Sequence, residues 1–145
     1  MAISYTEKGA GLHEYIESQG EGLWEADGNW YSTNDAVVQP MIDNFDQLAY
    51  EKQQKIKAIK TEGATRASSI YSFLEADPER AISYYDMMED LYLSISPGSR
   101  EPLSGRLLEF KNIYDAGVAA VQTVNAMTTV LEVLAYDAVN DPVWP

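Results

Sequence analysis

Two stretches of this chain step through apolar residues in alternating intervals of four and three, over many helical turns. Phe45, Ala49, Lys52, Ile56, Ile59, Gly63, Arg66, Ile70 and Phe73 make the first, and Leu103, Leu107, Phe110, Tyr114, Gly117, Val121, Val124, Thr128, Leu131 and Ala135 the second. A seam that repeats every 3.5 residues belongs to helices packed at shallow angles, within one bundle or between chains of a coiled coil. Lys52, Gly63 and Arg66 weaken the first seam, which points to a bundle helix or a loose coiled coil. The second predicts a helix of about thirty residues, on the order of 45 Å long. The fold class is therefore mainly α, a helical bundle or a set of coiled-coil-like long helices. Whether the seams close inside one chain or between copies stays open at this level.

The N-terminal part has a different grammar. Residues 3–6 are β-prone, and residues 8–19 read as a short helix with Leu12, Tyr15 and Ile16 on one side, ended by the Gly20-Glu21-Gly22 run. In residues 23–35, LWEADGNWYSTND, two short β-prone pieces flank Asp27-Gly28, a dipeptide suited to the positive φ angles of a tight hairpin turn. A two-stranded ribbon is marginal alone, so its aromatics must pack on something. Residues 32–35 offer N-cap side chains to a helix carrying Val37, Val38, Met41, Ile42 and Phe45, with Pro40 either in its first turn or at a kink. Asp77 and Pro78 are the expected N-cap and first residue of a later helix to about Ser94, apolar nearly all round and so expected to be sandwiched. Two regions follow: residues 1–33, a mixed α/β attachment segment with a Trp-rich hairpin, and residues 34–145, a helical region.

Charge and composition narrow the function. With 145 residues, 46% of them hydrophobic, the chain can bury roughly two-thirds of its unfolded surface. A net charge of −13 argues against nucleic acid, whose phosphates require clustered Lys and Arg. The charge is uneven: residues 46–66 hold five bases and three acids, and the rest five bases and twenty acids. That basic segment is either a solvated helix face or a surface that pairs with an acidic face of a copy or a neighbour. No run is apolar enough to span a membrane, and residues 1–11 lack the pattern of a signal peptide.

Chemistry finds little foothold. Without cysteine there is no disulfide, thiolate ligand or thiol nucleophile. His13 is the single histidine and reads as a packing or surface residue. Asp86, Glu89 and Asp90 cluster but lack the glycine-turned spacing of a calcium loop, and the Gly9-Ala10-Gly11 and Gly20-Glu21-Gly22 runs lack a nucleotide-binding context. No metal, cofactor or catalytic group is expected, and the chain reads as a non-enzyme. The hairpin aromatics have three readings: packing on the first helix, anchoring to another protein, or a platform for sugar.

Several short segments, in order, resemble a family of small bacteriophage tail proteins. DGNW at 27–30, VQPMIDNFD at 38–46 and KAIKTEG at 57–63 are similar to that family's hairpin, its "VQ-x-IID-x-YD" stretch and its basic helix. LSISP at 93–97, IYDAG at 113–117 and VNAMTTV at 124–130 are similar to its "LSIAP", "IYTAG" and "VNAATTV", with Trp144-Pro145 last. The likeness covers most of residues 23–145 and leaves out the first twenty.

The resemblance implies a structural part of a virion tail, near baseplate or tail fibre, made in the host cytoplasm and bound to other tail proteins and to its own copies. Its alternative is a fibre assembly chaperone absent from the mature particle. It carries over no catalytic residue. On this reading Trp24, Trp30 and Tyr31 dock the hairpin on a neighbour, and Ile56, Ile59, Ile70, Val121, Val124 and Leu131 pack within the subunit or between copies. Trp144 joins them as a candidate interface residue.

Overall fold

In the computed structural model, residues 3–103 and 105–145 are described, and the chain divides into two compact units. Residues 1–53 with 128–134 form the first, and residues 54–127 with 135–145 the second. Among the described residues there are six α-helices and one two-stranded hairpin, a mainly α fold as the periodicity predicts.

The first unit begins with Ile3, whose N–H donates to the Trp30 carbonyl at 3.1 Å and adds a single bridge beside the hairpin. Helix α1, Leu12–Ser18, starts later than the predicted residue 8 because Gly9 and Gly11 adopt φ of +92° and +96°. At Gly11 a side chain would overlap the Tyr50 ring, so the bare backbone lets the two segments approach. Gly20 closes α1: its N–H donates to Glu17 O and that of Glu21 to Ile16 O, the paired bonds of a Schellman cap.

Strands β1, Leu23–Ala26, and β2, Asn29–Ser32, then pair antiparallel around Asp27-Gly28, whose φ angles of 51° and 77° suit the two-residue turn. Helix α2, Asp35–Asn44, contains Pro40 beyond its first turn, so the helix forgoes one backbone bond there. Its Val38 and Ile42 join Ile3, Leu12 and Ile16 in one core. That shared core is why the compact unit runs past residue 33, the sequence-based boundary.

Helix α3, Gln47–Ile70, begins after an extended Phe45, with Asp46 accepting the Ala49 N–H at 3.2 Å. The seam read from Phe45 to Phe73 is thus cut at both ends, and a turn of 3-10 helix follows at Ser72–Leu74. Helix α4, Pro78–Ser94, starts as predicted, Asp77 accepting the Arg80 N–H at 3.0 Å with Pro78 at the first position. It is not sandwiched. Only Ala81 and Tyr85 are buried, while Met87, Leu91 and Leu93 are exposed, because α4 packs along one side alone. Arg100 caps its far end, donating to the carbonyls of Leu93 and Ile95 at 2.8 Å each.

The predicted thirty-residue helix is two helices, α5, Gly105–Ala126, and α6, Val130–Ala135. The start expected at Leu103 runs into Ser104, which lies outside the described residues. The break has a local cause. Thr129 Oγ1 accepts the Glu132 N–H at 3.2 Å and donates to the Glu132 carboxylate at 3.0 Å, a capping pair that starts a new helix inside the heptad run. Replacing Thr129 with Ala should lower stability by about 1 kcal/mol, read by chemical denaturation, with exchange of the α6 amides accelerated first.

In the second unit Ile59, Ile113, Ala116, Ala120 and Val124 form a core with Ala138 and Trp144. Ala64, Ala67, Leu74, Ala81, Tyr85 and Phe110 form another. The buried stripe of α5 is therefore Phe110, Ile113, Ala116, Ala120 and Val124, offset from the predicted seam, which it meets only at Phe110 and Val124. Alanines at the contact let helix backbones come close, so the small side chains lie inside and larger ones such as Val121 sit at the margin.

Candidate protein interface

The aromatic clasp of the hairpin is split by the strand register. Trp24 pairs directly with Tyr31, and Glu25 with Trp30, so alternate residues take opposite faces. Trp30 turns inward: it is half-buried, stacks on Tyr5 with ring centres 4.0 Å apart, and has His13 at 5.6 Å. Packing on the first core is its role, and His13 belongs to the same aromatic group. Trp24 and Tyr31 turn outward, 47% and 39% exposed, with rings stacked at 6.4 Å. Two aromatic side chains stacked on a paired ribbon and only half covered need little further ordering to be buried by a partner.

The remaining sequence-predicted residues fall in two places. Ile59 and Val124 are buried in the second unit, with Ile56, Ile70 and Val121 packed against that core, so these seam positions close within the chain. Leu131, on α6, is 79% exposed and is free to meet a neighbour. Trp144 is only 8% exposed and is committed inside the second unit. Its indole lies over Gly63 and Gly117, its Nε1 donates to Ala138 O at 2.8 Å, and the Arg66 guanidinium stands 5.2 Å from the ring.

Arg66 also donates to Glu62 at 2.7 Å and to Val139 O at 3.1 Å, and Lys55 donates to Tyr136 O at 2.6 Å. Part of the basic segment thus clamps the last ten residues. Burial, and then a hydrogen bond donated to Asp141, push the Tyr136 hydroxyl far above the usual phenol range, so it stays protonated there.

Two further surfaces were not singled out from the sequence. An open apolar groove of about 290 Å³ runs between α3, α5 and the start of α4, lined by small residues such as Gly63, Ala67 and Gly117 with Val118 at its edge. The exposed edge of α4, Met87 and Leu91, is the other, and its signal was present in the all-round apolarity of that helix. Between α4 and α5, Tyr85 and Tyr114 stack at 3.7 Å. Burial raises both hydroxyls first, and nearby carboxylates add to it, Glu89 at Tyr85 and Asp86 at Tyr114, so both rings pack as neutral groups.

Asp86, Glu89 and Asp90 remain on the surface, and among the described residues no group of three His, Asp or Glu side chains is arranged to hold a metal ion. No helix of the described residues is long and apolar enough to cross a membrane. Comparison with protein-family models, curated proteins and solved structures found no match.

Proposed function

We propose that this chain is a non-enzymatic structural component of a bacteriophage tail, at the baseplate or the tail fibre junction, acting through protein–protein assembly. The observation that carries the assembly reading is the outward Trp24 and Tyr31 pair, ordered by the hairpin and left half exposed. The tail assignment draws on the collinear segments from DGNW to VNAMTTV described above. Covering the exposed halves of both rings supplies on the order of 4 kcal/mol before association costs, enough for a contact repeated in a symmetric particle. The first unit carries two bases and eleven acids, a charge of −9 that opposes contact between copies through this unit and favours a partner with a basic or neutral face.

The test separates docking from folding. Trp30 is unsuitable for it, because its loss also strips Tyr5 of its stacking partner. A Trp24→Ala, Tyr31→Ala double variant should keep its denaturation midpoint within about 1 kcal/mol of the parent, as exposed positions do. It should fail to enter particles in a complementation assay, and normal incorporation would remove the docking role. Mass spectrometry of purified virions decides the wider reading. A stoichiometric amount supports a structural part, and absence from virions with a requirement during fibre assembly makes the chain a chaperone.

A further inference from the structure

Within the second unit a socket and a plug lie on different sides of one helix. The groove between α3, α5 and the start of α4 is lined by Gly63, Ala64, Ala67 and Gly117, of which the alanines face it as small side chains while the open side of each glycine is taken by Trp144. Met87 and Leu91, one turn apart on α4, are 51% and 57% exposed. At 100° per residue they stand roughly 140–180° around α4 from Pro78 and Ile82 and roughly 80–120° from Ala81, the three α4 residues that line the groove, so the edge faces away from the groove mouth. We propose that the groove of one copy receives the Met87 and Leu91 edge of α4 from a second copy, in a head-to-tail contact.

Charge singles out a second copy as the occupant. Asp86 and Asp90 are exposed beside Met87 on α4, and Lys57 and Lys60 are exposed on the α3 stripe that continues into the groove through Ala64 and Ala67. Inserting the edge brings the two carboxylates towards the two ammonium groups. The second unit carries eight bases and twelve acids, −4, against −9 for the first, so copies meet with least repulsion through this unit. Exposed Phe73 and Ile95 at the ends of the plug and Val118 at the socket enlarge the apolar area.

The geometry also sets the symmetry. A plug and a socket on different sides of the same unit cannot both be satisfied in one two-fold pair. Each contact leaves one plug and one socket open, so copies add in series and either close into a ring or extend.

The inference rests on the assembly reading but is tested apart from it, in solution and without virions. Sedimentation of the full chain should show an average mass that rises with concentration beyond that of a dimer and falls as salt is added. Leu91→Glu, which spoils the plug, and Val118→Glu, which spoils the socket, should each sediment as monomers with unchanged circular dichroism. Mixed in equal amounts they should form a heterodimer and nothing larger, since one good socket and one good plug remain. If Leu91→Glu loses helical signal, Met87→Glu replaces it in the same mixture. A parent chain that stays monomeric, a mass that stops at the dimer, or a mixture that fails to pair would each overturn the proposal. A chain found absent from virions would leave this result standing, and a monomeric chain would leave the tail reading standing.

Discussion

Trp144→Ala should be among the most destabilising single substitutions in this protein, by about 4 kcal/mol, the usual cost of deleting a buried indole. The ring lies over two helices, at Gly63 on α3 and Gly117 on α5, where an added Cβ would stand 3.5 and 3.6 Å from the indole edge, in ordinary packing contact. Truncation opens a cavity between them. It also takes the donor from the Ala138 carbonyl and the stacked face from Arg66. For a domain with a total stability of about 5–15 kcal/mol this is a large fraction.

Guanidinium denaturation followed by circular dichroism should show the midpoint falling sharply. Trp144→Phe should recover about half the loss, since it restores much of the packing and none of the hydrogen bond. A loss below about 1 kcal/mol would mean that the last residues are not docked as described.

Gly11→Ala should cost about 3 kcal/mol, from two sources that a second variant separates. Gly11 and Gly20 both have positive φ, +96° and +81°, so an alanine at either suffers the left-handed penalty of about 1–2 kcal/mol. They differ in their surroundings. A Cβ at Gly20 meets nothing within 4 Å, whereas one at Gly11 falls 2.4 Å from the Tyr50 ring. That ring is held between Tyr15, 6.4 Å away edge-on, and Phe45 at 5.5 Å, so it has little room to retreat. Gly20→Ala should therefore cost about 1 kcal/mol and Gly11→Ala about 2 kcal/mol more, measured by the same denaturation series. Equal losses at the two sites would show that the approach of Gly11 to Tyr50 contributes nothing.

The candidate interface was half legible. Trp24 and Tyr31 stood out as aromatics in an acidic chain, but Trp30 looked equivalent to them until the pairing of Trp24 with Tyr31 put it on the other face. A hairpin has two faces, and its register does not say which one the first core takes. The heptad steps put Ile59 and Val124 on a seam that could close within the chain or between copies, the structure buries both inside the second unit, and the steps passed over Ala116 and Ala120, whose small size makes them contacts only when a second helix approaches. Leu131 kept the heptad phase and is nonetheless exposed, because the Thr129 and Glu132 cap restarts the helix just before it. The apolar circumference of α4 predicts cover on all sides. The structure covers one side and leaves Met87, Leu91 and Leu93 exposed.

What the residues determined by themselves is local: the mainly helical class, the turn at Asp27-Gly28, the start of α4 at Asp77 and Pro78, and the apolar character of each helix. These follow from backbone preferences and hydrogen bonds spanning three or four residues, which need no distant partner. Only the tertiary structure decided which apolar faces meet one another, why Gly11 is glycine, and that Trp144 is a core residue while Trp24 is not. Those outcomes depend on the space left between elements far apart in the chain, and no residue carries that distance in its own chemistry.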